Sequence, residues 1–103
     1  MNCADDGRVN NERMVDIMKV LLEKLQNLNK LEKIADIAES KYAQDPQNTD
    51  LENAFDEAYK NEYDAYIGAA KYIEYITRGA IDFFSAKKIV QTKRSELINI
   101  LNI

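Results

Sequence analysis

The sequence has no histidine and no tryptophan, a single cysteine, a single proline and only three glycines. Each scarcity removes a class of chemistry. Histidine is the commonest general base near neutral pH and the commonest metal ligand. Without it, a Ser-His-Asp or Cys-His apparatus cannot be assembled from this chain. A lone Cys3 forms neither an internal disulfide nor a zinc-finger ligand set. It also has no neighbour that would lower its pKa, so no redox role is expected. Gly7, Gly68 and Gly79 are too widely separated to make a phosphate-cradling loop. The acidic residues lack the Glu-x-x-His motifs of a di-iron bundle and the Asp/Asn/Gly offsets of an EF-hand. No enzymatic activity, metal or cofactor is expected on these grounds.

Long hydrophobic runs are absent too. No apolar stretch approaches the roughly 18 residues needed to cross a membrane. The polar start, Met1 to Arg13, has no apolar core of a secretory signal, and a cytoplasmic protein is the expectation. What the chain does contain is ordinary for a globular domain: 46% of its residues are hydrophobic and 31% are charged, which argues against wholesale disorder. At 103 residues it has room for one domain. The reading is a flexible N-terminal tail, 1–11, followed by a single helical-bundle domain, 12–103.

Charge is spread unevenly. Of the formal net charge of −4, the first 35 residues contribute nothing, with six acids against six bases. From Asp36 to Asp64 nine acids face Lys41 and Lys60, a net of −7. From Lys71 onward six bases face three acids, a net of +3. The molecule therefore has an acidic middle and a basic C-terminal part.

Helical periodicity dominates. From Glu12 the apolar positions Met14, Met18, Leu21, Leu25 and Leu28 follow steps of four and three, a heptad seam. The seam resumes as Leu31, Ala35, Ala38 and Tyr42, after a step of three where four was due. Such a slip overwinds a continuous helix or marks a bend, and Asn27 and Asn29 flank it. One long helix with a local irregularity is favoured, with a break near Asn29 as the alternative. Asp45-Pro46-Gln47-Asn48 stops the helix, because Pro46 lacks a donor and restricts the residue before it. Thr49 to Glu52 reads as a capping box with Thr49 as N-cap. The second helix runs from about Asp50 to Thr77 along Leu51, Phe55, Ala58, Glu62, Ala65, Ala69, Tyr72 and Ile76. Gly79 is positioned to take a left-handed conformation at its end. A third, shorter helix starts at a cap supplied by Asp82 or Ser85. The fold class is all-α: a long antiparallel helical hairpin plus a shorter third helix, or four helices if the first breaks near Asn29.

A short third helix cannot cover the whole hairpin. The remainder must pack on another molecule, with a homodimer as one option, or the first helix must fold back.

Three features bear on function. Tyr59, Tyr63 and Tyr66 share one stripe of the second helix, with Asp56 and Glu62 beside them. Tyrosine suits interfaces, because its ring is apolar and its hydroxyl stays wet. Glu62 interrupts the apolar seam, and a charge there can set register or partner choice at a cost in stability. Ala65, Gly68, Ala69 and Ala70 form a small-residue stretch, read as a close approach of another helix that offsets the cost of Gly68. Lys87, Lys88, Lys93 and Arg94 form a basic cluster on the third helix, expected to pair with the acidic second helix.

The resulting expectation is a small non-enzymatic module that binds another protein through a helix face, of inhibitor, chaperone or assembly-adaptor type. The tyrosines, Asp56 and Glu62 would form its contact stripe. The alternatives are a DNA-binding regulator using Lys87, Lys88, Lys93 and Arg94, against which the net negative charge weighs, or an acidic nucleic-acid mimic filling a partner's basic cleft. No membrane partner is expected.

Overall fold

The computed structural model describes the backbone of residues 3–102 and the side chains of residues 13–102. The expected tail, 1–11, thus has its side chains outside the described residues, as does Cys3. Among the described residues all regular structure is helical: α1 (Cys3–Gln44), α2 (Thr49–Ile76), α3 (Phe83–Thr92) and α4 (Arg94–Leu101). The chain forms a rod of 67 × 23 × 22 Å.

α1 runs unbroken through Asn29. Asn29 is half-buried, and its side-chain oxygen accepts a hydrogen bond from Arg94 Nη1 at 3.0 Å. The slip in the heptad seam falls at this point. Leu21, Leu25 and Leu28 before it are buried in the main core. After it Ala35 is buried, while Leu31, Ala38 and Tyr42 are half-buried.

The turn into α2 differs from the capping-box reading. The N-cap is Asn48, whose Oδ1 accepts from Leu51 N at 3.2 Å. Its amide also donates to Asp45 Oδ2 at 3.3 Å. Asn48 thus binds both the closing end of α1 and the opening turn of α2, so Thr49 becomes the first helical residue. Asp50 and Glu52 sit in the first turn, where they complement the positive end of the helix dipole.

The end of α2 is a Schellman motif. Gly79 N–H donates to Glu74 O at 2.9 Å, and Arg78 N–H donates to Tyr75 O at 3.1 Å. Both residues are left-handed, with φ of 53° at Arg78 and 81° at Gly79. The first left-handed position therefore belongs to Arg78 and not, as the sequence suggests, to Gly79. Three side chains then tie the turn to α3. Thr77 Oγ1 accepts from Ile81 N at 3.1 Å, Glu74 Oε2 from Phe83 N at 3.1 Å, and the cap Asp82 Oδ1 from Ser85 N at 2.8 Å. That last bond holds the Asp82 carboxyl below its usual range.

The third helix expected from the sequence is two. It breaks at Lys93 without a glycine or proline. Arg94 Nε donates to Val90 O at 3.0 Å, occupying a carbonyl that a continuing helix would bond through its backbone. Thr92 Oγ1 donates to Lys88 O at 2.7 Å, a back-bond that bends helices. The fourth helix therefore arises here and not from a break in the first.

The core lies near the middle of the rod, at the end of the α1–α2 contact away from the Pro46 turn. Leu21, Leu25 and Leu28 of α1 meet Ala69, Ala70 and Ile73 of α2 and Ala86 and Val90 of α3, with Leu97, Ile98 and Leu101 of α4 packed against them. Ala69, Ala70 and Ala86 are wholly buried, so the α2–α3 crossing is where small side chains let helices come close. Gly68 takes no part in this. A Cβ built there meets nothing within 4 Å. Its neighbours, not Gly68, face the crossing. Toward the Pro46 turn only α1 and α2 pair, closed by stacking of Tyr42 on Phe55 at 6.0 Å between centroids.

Candidate functional site: a tyrosine and carboxylate cleft

Where the third layer ends, the groove between α1 and α2 opens into a cleft of about 250 Å³. Leu28 and Glu32 of α1, Tyr59, Glu62, Tyr63 and Tyr66 of α2, and Gln91 and Arg94 at the α3–α4 kink line it. The four α2 residues come together because spacings of three and four keep them on one face of the helix.

The tyrosine stripe is not uniform. Tyr59 and Tyr63 are 59% and 53% exposed. Tyr66 is half-buried against the core, and its hydroxyl donates to Lys87 O at 3.0 Å, which fastens α3 to α2. Its ring lies 6.5 Å from that of Tyr63. Tyr66 is thus a fixed wall, with two solvent-facing rings beyond it. Asp56 is exposed and lies outside the cleft lining.

Electrostatics at the cleft are lopsided. Glu62 is half-buried at the seam position where an apolar residue would be regular. Burial above all, then the negative charges of Glu32 and Asp36 and more weakly Glu39, push its carboxyl above the usual range, while Arg94 opposes them. Arg94 is itself committed. Nη1 lies 2.7 Å from Glu32 Oε1 and 3.0 Å from Asn29 Oδ1, and the side chain is 12% exposed. One guanidinium therefore faces two lining carboxylates, Glu32 and Glu62, with more acid behind them on α1.

The basic cluster does not form one surface. Lys87 Nζ sits 5.0 Å and 5.2 Å from the ring centroids of Phe83 and Phe84. Lys93 pairs with Glu96 at 3.8 Å, Lys88 is exposed, and Arg94 enters the cleft wall. The cross-helix ion pair from this cluster reaches Glu32 on the first helix, whereas the expected partner was the second. Glu32 and Gln91 are the lining residues that sequence reasoning missed. Glu32 follows the seam slip by one residue, which is the signal that turns it toward the groove.

Among the described residues no group of three or more Cys, Asp or Glu side chains is arranged to hold a metal ion, and no helix is long and apolar enough to cross a membrane. The chain matches no protein-family model, and no curated protein or solved structure is significantly similar to it.

Proposed function

We infer that this protein is a small non-enzymatic binding module that grips another protein at the cleft, by accepting a basic side chain of that partner. The observation that carries this reading is the combination of two exposed tyrosines with a surplus of carboxylate around half-buried Glu62. An entering Arg or Lys would neutralise that surplus and lie against the Tyr59 and Tyr63 rings, where a cation gains about 0.5–2 kcal/mol as it loses water. Tyrosines are also enriched among the few residues that dominate binding energy at protein interfaces. A helical scaffold with such a notch suits an inhibitor, chaperone or assembly adaptor.

The test is a titration of isotope-labelled protein with short arginine-containing peptides and with their glutamate-containing counterparts, followed by NMR. Shifts confined to Glu32, Tyr59, Glu62 and Tyr63, produced by the basic peptides alone and abolished by Tyr59→Ala with Tyr63→Ala, are expected. Equal response to acidic peptides, or shifts centred elsewhere, would sink the reading. The acidic stripe Glu32, Asp36, Glu39 supports a second reading, in which the carboxylates imitate a nucleic-acid backbone in a partner's basic cleft. That reading requires nucleic acid to compete for the partner.

A further inference from the structure

The two carboxylates that line the cleft differ in what they already hold. Glu32 Oε1 is paired with Arg94 Nη1 at 2.7 Å. Glu62, among the described residues, makes no hydrogen bond and no ion pair. Among those residues no buried side-chain oxygen lacks a partner, so both Glu62 oxygens stay open to a donor from outside. The exposed rings of Tyr59 and Tyr63 line the same cleft.

The cleft wall already holds one guanidinium. Arg94 is 12% exposed, yet its donors are matched: Nη1 to Glu32 and Asn29, and Nε to Val90 O. With Glu32, Glu62 and Arg94 as its charged residues, the lining is left one positive charge short.

We propose that the cleft selects arginine over lysine, through a guanidinium that forks onto both oxygens of Glu62 while its flat face lies on an exposed tyrosine ring. This rests on the reading that the cleft takes a basic side chain. The donors of a guanidinium lie in its own plane, so it can bond a carboxylate along one edge and stack on a ring with its face. The donors of an ammonium point to the corners of a tetrahedron, and turning one side to a ring takes donors away from the carboxylate. A guanidinium is also the more weakly hydrated cation, so it gives up water more readily beside half-buried Glu62. Arg94 shows the same preference at the neighbouring carboxylate, where one planar group serves three acceptors.

NMR titration at low salt, with capped Gly-Arg-Gly and Gly-Lys-Gly tripeptides and a trimethyl-lysine counterpart, tests this. The arginine peptide should bind about tenfold more tightly than the lysine peptide, the worth of one charge-assisted hydrogen bond. Trimethyl-lysine keeps the charge and the attraction to aromatic rings but has no donor, and it should bind more weakly than arginine. Glu62→Gln keeps the side-chain shape and removes a charge that burial disfavours, so this variant stays folded, with unchanged helix content by circular dichroism. In it the arginine and lysine peptides should bind equally. Equal binding of the two by the parent chain overturns the selection and leaves the basic-side-chain reading in place. Tightest binding of trimethyl-lysine overturns it by assigning recognition to the rings alone. An arginine preference that survives Glu62→Gln overturns the fork at Glu62. Failure of every peptide to bind overturns the reading of the cleft and this proposal with it.

Discussion

Two glycine-to-alanine substitutions should change stability in opposite directions. Gly68 lies mid-α2 with helical backbone, and a Cβ there meets no atom within 4 Å. Alanine at that site gains the full helix-propensity difference of about 1 kcal/mol, with no clash to subtract. For a domain near 100 residues, that raises the melting temperature by roughly 4–8 °C. Gly79 has equally open space but a φ of 81°. Alanine there pays about 1–2 kcal/mol of left-handed strain, only partly offset by a stiffer unfolded chain, which contributes about 0.4–1 kcal/mol. The net expectation is a loss of about 1 kcal/mol. Urea unfolding followed by far-UV circular dichroism, at one low protein concentration, reads both midpoints. A lower midpoint for Gly68→Ala would mean that another backbone occupies the space beside it, restoring the close-approach reading of the small-residue stretch. A neutral Gly79→Ala would refute the left-handed backbone at Gly79.

The cap assignment makes a similar contrast: Asn48→Ala should cost about 1 kcal/mol and Thr49→Ala less than about 0.5 kcal/mol in the same urea assay, and the reverse order would return the cap to Thr49. Glu62 gives a pH dependence. Its carboxyl, raised above the ordinary 4.5 by burial and by its acidic neighbours, binds a proton more tightly folded than unfolded. Its contribution to stability is therefore complete below that ordinary value and is lost as pH rises through the raised one. Glu62→Gln should be more stable than the parent at neutral pH, with the advantage shrinking to nothing in acid. An advantage that grows in acid would show that the carboxylate is stabilised in the fold.

Much of this architecture is legible in the residues. The steps of four and three along α1, the stop at Pro46 and the apolar seam of α2 follow from helix geometry alone. Local competition is less legible. Asn48 and Thr49 both suit an N-cap, and what decides between them is that Asn48 also reaches Asp45, a contact across the turn. The break at Lys93 has no residue that advertises it, because it rests on side-chain bonds from Thr92 and Arg94 to carbonyls one turn back. In the cleft, spacing on one helix brings together Tyr59, Glu62, Tyr63 and Tyr66. Glu32 and Arg94 arrive from other elements. Periodicity within one helix says nothing about which residues another helix will bring opposite.

That break also explains why a cleft exists. α3 runs antiparallel to α2, with Tyr66 bonded to Lys87 and Glu74 to Phe83. Continued straight, the helix would place Arg94 level with about Tyr59 and Leu101 near Glu52. It would bury Tyr63 and Tyr59 and lay its own side chains over Glu62. The kink instead turns α4 onto α1, where Leu97, Ile98 and Leu101 complete the core. It leaves the two outer tyrosines uncovered and sets Arg94 between Glu32 and Glu62, where one cation only partly balances the acid. A residue that holds the kink through Val90 O and the α1 contact through Glu32 thus also sets the residual charge of the cleft. Fold and candidate site share that side chain. Replacing it should disturb α4 docking and cleft charge together, whereas Tyr59 and Tyr63 can be changed with the fold intact.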